Sequence, residues 1–219
     1  MIDITKQQLK IALINFVNYI TIFKSNKLGL EFEKVILQEL KVFLRHCKPI
    51  TTTSTSAYNK AIKNYESGRV IIAHHPNGTN KFPDIKVHYN DIDIDFEVKS
   101  SKDGTIHWNS TMVKPDTIYI YNYVNPSKGN DIIIFCGKDY REMNNKNVSS
   151  SINYHIEQVE TLTSNFKEAL HNNDSRKFLK DKKIIYYIRE NWKSNANLLK
   201  KPETHYTRQV KQFINSKLK

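Results

Sequence analysis

Apolar residues recur at helical spacing near the start of the chain and switch to strict alternation in its middle. Over residues 5–23, Leu9, Leu13, Phe16, Val17 and Ile20 fall on one stripe of a 3.6-residue period, which predicts an amphipathic helix. A second helix is predicted over 28–46, "LGLEFEKVILQELKVFLRH", with Phe32, Val35, Ile36, Leu40 and Phe43 as its apolar face. "TTTSTS" at 51–56 reads as a polar loop or helix start, and "AYNKAIKNYESGR" as a short exposed helix ending near Gly68. From Val70 the period becomes two. The runs "RVIIAH", "DIKVHY", "IDIDFEVK", "TIYIYNY" and "DIIIFCG" are rich in β-branched residues and separated by turn residues, which predicts a central sheet. After Gly137 the pattern predicts a helix at about 152–171, a strand-like "KIIYYIRENW" and a basic helix from about 203 to 217. The whole reads as one α/β domain over 1–219, with a central mixed β-sheet flanked by helices.

Charge narrows the class of partner. The chain carries 34 Lys and Arg against 22 Asp and Glu, a net of +12, which points to a polyanion: nucleic acid or an anionic membrane. Residues 138–219 hold 17 basic and 9 acidic side chains, so most of the positive excess lies beyond the sheet. The most apolar run, residues 11–23, is broken by Asn15, Asn18 and Thr21 and is too short to span a bilayer. No small-residue cleavage site follows it, so a soluble cytoplasmic protein with no membrane association is expected. Cys47 and Cys136 have no metal-ligand spacing and sit among apolar neighbours, which predicts two buried reduced thiols. No G-x-S-x-G elbow and no glycine-rich phosphate loop occurs, which argues against serine hydrolase and nucleotide-driven chemistry.

Against this basic background, "KFPDIKVHYNDIDIDFEVKSS" at 81–101 gathers five carboxylates within fourteen positions. Ile92, Ile94, Phe96 and Val98 alternate with Asp91, Asp93, Asp95, Glu97 and Lys99, so on a strand every ionisable group shares one face. "PDIKVHYND" reads as a partner strand turning back at Asn90 and Asp91, which brings Asp84 across towards Glu97 and Lys99. Carboxylates that close repel unless a cation neutralises them, and a hard ion such as Mg²⁺ does so through oxygen ligands. Asp91 and Asp93 read as members of a solvated acidic face.

Pro83-Asp84 followed after twelve residues by Glu97-Val98-Lys99 resembles the PD-(D/E)XK nuclease signature. Upstream, Gly29 and Glu33 form G-x-x-x-E on the second helix, similar to the first core helix of that superfamily, with Glu31 as the alternative carboxylate. Downstream, "EVKSSKDGTIHWNSTMVKPDTIYIYNY" is similar to the segment of type II restriction endonucleases in which a polar loop lies against DNA. The resemblance covers about residues 28–137 and implies a restriction-endonuclease-like core, with 138–219 a basic extension for DNA binding or dimerisation. It further implies Mg²⁺-dependent hydrolysis of double-stranded DNA to 5′-phosphate ends by a homodimer. A cognate DNA methyltransferase is then a functional but not a physical partner. Asp84 and Glu97 are the implied metal ligands, Lys99 positions the attacking water, and Glu33 supports the metal or a second one.

DNA contacts are expected from the flanking loops: Asn77, Thr79, Asn80 and Lys81 before the site, and Lys102, His107, Trp108, Asn109, Ser110 and Lys114 after it. In the same catalytic class, a structure-specific or repair nuclease with this core is the alternative, and a non-catalytic DNA-binding module is the alternative outside it. His75, Asn80 and His88 occur in the order of the His-Asn-His nucleases, but an alternating strand is the wrong setting for the last histidine. "HHPNGTNKF" accordingly reads as a turn-rich surface loop.

Overall fold

The first helix forms because its apolar residues line up and bury together. In α1 (Ile4–Ile20), Leu9, Leu13, Phe16, Val17 and Ile20 are all fully buried, the same five that the sequence periodicity selects. α2 (Gly29–Leu44) buries Phe32, Ile36, Leu37, Leu40 and Leu44. Its inward stripe is thus rotated from the expected one: Val35 and Phe43 are half-buried, while Leu37 and Leu44 take the core positions. Phe43 still contributes, meeting Phe16 edge-on with ring centroids 5.9 Å apart. The computed structural model describes residues 4–79, 81–109, 113–125, 129–140, 161, 191–195 and 203–219.

Six strands build one mixed sheet: β1 (Ile50–Thr52), β2 (Val70–His74), β3 (Ile85–Tyr89), β4 (Ile92–Ser101), β6 (Thr117–Asn125) and β7 (Gly129–Cys136), hydrogen-bonded in that order. β1 runs parallel to β2 and β4 parallel to β6, and the remaining pairs are antiparallel. The five runs of β-branched residues all become strands. β5 (Thr105–Asn109) leaves this sheet and pairs instead with β8 (Asn191–Asn195), neither of which has a strong alternating signature. β1 was likewise not expected, since three residues are too few to show a period. α3 (Thr55–Lys63) is capped by Ser54, whose Oγ accepts from the Ala57 N–H, and buries no residue, in keeping with an exposed helix; it stops at Lys63, short of Gly68.

The two faces of the sheet differ. Val70, Ile72, Ile85, Val87, Tyr89, Ile94, Phe96, Val98, Ile118, Ile120, Ile132 and Ile134 point into one core with α1 and α2. α4 (Glu203–Lys217) joins that core through Val210 and Ile214, with Leu218 just after it, so the basic C-terminal helix also has a structural seat against α1 and β7. On the opposite face, Tyr119, Tyr121 and Phe135 form a second apolar cluster with Ile106, Val113, Tyr140 and Tyr206. Cys136 is buried, Cys47 only half so, and both are free thiols. Among the described residues no helix is long and apolar enough to cross a membrane. The helix expected at 152–171 and most of the strand-like "KIIYYIRENW" lie outside the described residues.

Gly137, at the end of β7, has no room for a side chain: a Cβ there would meet the Lys114 carbonyl oxygen at 1.9 Å. Gly137→Ala is expected to cost about 1–3 kcal/mol through this backbone clash, lowering the melting temperature by roughly 2–12 °C. A thermal melt of the variant checks it, and an unchanged midpoint would mean the contact between the β7 end and Lys114 yields freely.

Candidate active site at the open end of the hairpin

The β3–β4 register fixes the site. Ile85 pairs with Phe96 and Tyr89 with Ile92 around a two-residue turn, so Asp84, one residue before β3, falls opposite Glu97. Asn90 occupies the left-handed region at φ +54, which Asn tolerates better than most residues. Its Oδ1 accepts from the Gly68 N–H at 2.8 Å, pinning the turn to the loop before β2.

Asp84, Glu97 and Lys99 converge. The Val98 N–H donates to Asp84 Oδ2 at 2.8 Å, the Asp84 N–H lies 3.3 Å from Glu97 Oε2, and Lys99 Nζ donates to Glu97 Oε1 at 2.7 Å. The Glu97 and Lys99 side chains are only 13% and 15% exposed, so this is a sheltered ion pair rather than a solvated one. Burial pushes the Asp84 carboxyl up to about 8, and the nearby charges of Glu97 and Glu33 push the same way, outweighing the Val98 N–H and Lys99. On the same row of the sheet, Glu97 stands beside Tyr119 and Lys99 beside Tyr121. Burial raises the Tyr119 hydroxyl, helped by Glu97 and Asp84, and it accepts the Lys114 N–H at 2.9 Å as a neutral phenol.

Glu33 comes to the same place from α2. The α2 N-terminus is held over the sheet by a 2.7 Å bond from the Gly29 N–H to Ser100 Oγ. The preceding loop is held by buried Asn122, whose amide donates to the Ser25 and Lys27 carbonyls at 3.0 and 2.9 Å. One turn into the helix, the Glu33 side chain is 16% exposed and reaches His75 Nε2 at 3.2 Å and His74 Nε2 at 3.7 Å. Glu31, the alternative carboxylate, points to solvent and pairs with Lys27 at 3.1 Å.

His74 and His75 correct the sequence reading. They are not part of a surface loop: His74 ends β2, His75 continues its pairing by donating its N–H to the Asp84 carbonyl at 2.8 Å, and both are buried. The misleading signal was the turn-rich "PNGTN" that follows; "VIIAH" read as a strand to its last residue places His74 at the site. Burial lowers the His75 imidazole below its usual range, with His74 acting in the same direction against Glu33 and Glu97. His88, by contrast, faces Asp93 with Nδ1 2.7 Å from Oδ1, and the structure does not bring it to His75. Asp93 is also half-sheltered by ion pairing to Lys86, so of the two carboxylates expected on a solvated face Asp91 is the exposed one.

The expected DNA-contacting residues flank this cluster unevenly. Asn77 is exposed and donates to the Phe82 carbonyl at 2.8 Å; Thr79, Lys81 and Lys102 are exposed. Lys114 lies with its ammonium 3.9 Å from the Phe82 ring centroid, two residues from Asp84. The backbone of His107, Trp108 and Asn109 forms β5, paired with Lys193, Trp192 and Asn191. Asn80 and Ser110 lie outside the described residues. Comparison with family models, with curated proteins and with solved structures finds no match to this chain.

The raised Asp84 carboxyl makes stability depend on pH. The folded chain keeps a proton that the unfolded chain gives up near 3.8, so stability falls as pH rises through the window up to about 8 and then levels off. In EDTA, Asp84→Asn is therefore expected to match the parent in melting temperature near pH 4 and to exceed it at about pH 9. Melting curves across that range read this directly, and a constant gap between the two proteins would mean Asp84 ionises normally.

Proposed function

We propose that this chain is a Mg²⁺-dependent endonuclease of double-stranded DNA, of the type II restriction kind, with a restriction-endonuclease-like core. The convergence of Asp84, Glu97 and Lys99 on two paired strands carries this reading, because that set supplies two hard oxygen ligands and one ammonium in a single sheltered space. The order of elements supports it as well: a helix bearing Glu33, an antiparallel hairpin bearing the triad, then a strand parallel to the second arm.

Mg²⁺ fits the donor set. Two carboxylates in a site where burial, and then their proximity, keep Asp84 protonated below about pH 8 invite a compensating cation, and both offer the oxygen donors that Mg²⁺ prefers. Bound by Asp84 and Glu97, the ion supplies positive charge against the phosphodiester and a water of lowered pKa. Lys99, fixed by Glu97 at 2.7 Å, holds its ammonium where it orients the attacking water and offsets charge building on phosphorus. On this reading Lys81, Lys102 and Lys114 engage phosphate oxygens around the site, and Asn77, Asn80, His107, Trp108, Asn109 and Ser110 are the further candidates for contacts to backbone or base edges. The net charge of +12 supplies the long-range attraction to DNA.

Cutting both strands of a short symmetric sequence requires two active sites, so the enzyme acts as a homodimer on a palindromic site. Its setting is the cytoplasm, where a cognate methyltransferase protects host DNA without binding this chain.

The decisive assay incubates the purified protein with a large unmethylated viral DNA, with Mg²⁺ or with EDTA. Discrete bands that appear only with Mg²⁺ are expected; a smear would point to a repair or nonspecific nuclease, and intact but retarded DNA to a binding module. Glu97→Ala should abolish cleavage while leaving DNA retention on a gel within a few-fold of the parent. Lys99→Ala should lower the cleavage rate by about 100-fold or more, as expected for loss of a group that acts on the developing charge. Equal loss of binding and cleavage in Glu97→Ala would sink the assignment, and a fully active Lys99→Ala would remove that residue from the mechanism.

A further inference from the structure

His74 and His75 have no part in the reaction proposed above, yet they are buried beside it at 7% and 6% exposure. Consecutive strand residues normally point to opposite faces. Here they do not: His75 takes φ +50, leaving the extended region at the end of β2, and the two rings lie 3.9 Å apart with their planes at 37°. His is one of the few side chains enriched in that left-handed region, and the turn it makes delivers both imidazoles to Glu33.

The polar atoms brought together there are left over. Glu33 Oε2, His74 Nε2 and both nitrogens of His75 are inaccessible to solvent and make no hydrogen bond, although His75 Nε2 is only 3.2 Å from the carboxylate. Buried polar atoms without partners cost roughly 1–3 kcal/mol each, so three residues sharing the defect in one spot ask for a common partner. One ligand atom from each residue lies within 4.8 Å of the others. Glu33 Oε2 is 3.2 Å from His75 Nε2 and 3.7 Å from His74 Nε2. A tetrahedral ion with bonds of about 2.0–2.1 Å needs donors roughly 3.3 Å apart, so the 3.2 Å separation matches and the 3.7 Å one is about 0.4 Å wider.

We propose that Glu33, His74 and His75 form a second cation site, separate from the Asp84–Glu97 pair, that takes a first-row transition metal of the Zn²⁺ class. Two imidazole nitrogens and one carboxylate select such ions over Mg²⁺, whose preference is for oxygen alone. Three protein ligands leave a coordination position open for water. The site is tied to the carboxylate pair by the 2.8 Å bond from the His75 N–H to the Asp84 carbonyl, so filling it stiffens the strand that carries Asp84. The proposal concerns metal binding alone and stands whether or not the chain cuts DNA.

The test titrates the metal-stripped full chain with Co²⁺ in the absence of DNA, follows the visible absorption, and then adds Zn²⁺ or excess Mg²⁺. The intense bands of a four- or five-coordinate site are expected to saturate at one equivalent of Co²⁺ and to be displaced by Zn²⁺ and not by Mg²⁺, any Co²⁺ held by the Asp84–Glu97 pair absorbing only weakly. His74→Ala and His75→Ala should each weaken binding by more than about 100-fold, whereas Asp84→Asn should leave it unchanged. Should an alanine variant fail to fold, His75→Gln and Glu33→Gln keep the volume and give the same readout. Parent-like affinity in the His variants, displacement by Mg²⁺, or loss of binding in Asp84→Asn with retention in the His variants would each overturn the proposal. Because no DNA is present, a failed cleavage assay and a failed metal titration are separate results.

Discussion

The pairing register of β3 with β4 is the constraint on which the rest depends. Side chains alternate across a strand, so a slip of one residue would carry Ile94, Phe96 and Val98 onto the charged face and drive Asp95, Glu97 and Lys99 into the helix-covered core. Burying Ile94 and Phe96 under α1 and α2 therefore fixes where the charges go. The turn holds the same register from its other end, through Asn90 and its bonds to Tyr65 and Gly68. Apolar packing on one face and a two-residue turn thus determine, without any attraction between the charged groups themselves, that Asp84 stands opposite Glu97.

That geometry is costly for its carboxylates, and the surroundings offset it only in part. The Val98 N–H and the Lys99 ammonium favour ionised Asp84, but burial and the charges of Glu97 and Glu33 prevail. A cluster serving stability alone would resolve the conflict by replacing a carboxylate with an amide or pairing each with its own cation. Asp93 on the same strand does so: burial raises its carboxyl, but Lys86 and His88 hold it below the ordinary range, whereas Asp95 only shares Lys86 at 3.4 Å and is raised by burial. The contrast is between Asp93, whose two cationic partners outweigh burial, and Asp84, whose nearest cation, Lys99, does not.

Much of this was legible from residue order alone, for definite reasons. Helix α1 and the five main strands carry enough periodic positions for the burial pattern to speak, and the hairpin turn was visible in Asn90-Asp91. Asp84, Glu97 and Lys99 meet because strand alternation and a short turn are local rules. What escaped depends on tertiary contact or on single dihedrals. The rotation of the α2 stripe towards Leu37 and Leu44 follows from how the helix lies on the sheet. The choice of Glu33 over Glu31 follows from the same rotation, anchored by Gly29 on Ser100 and by Asn122 beneath the α1–α2 loop. His75 escaped because its inward turn rests on one positive φ, which a run of turn-forming residues after it disguises as an exposed loop.

Range explains how a chain of net charge +12 can hold a negative site. The basic excess acts over about a Debye length, roughly 8 Å at physiological salt, and sums over the whole surface, so it draws a polyanion towards the molecule without regard to detail. The carboxylates act at contact distance in a sheltered space where screening is weak. On the nuclease reading these two fields conflict at the last step, since a phosphate drawn in by the lysines meets Glu97 and Glu33 as like charges, and Asp84 as well once it ionises. Lys99 alone cannot reverse that sign, because one ammonium faces two carboxylates, and three once Asp84 has lost its proton. On that reading a cation must arrive with the phosphate or before it, so cleavage would depend on the metal while DNA binding, carried by the surrounding lysines, would not.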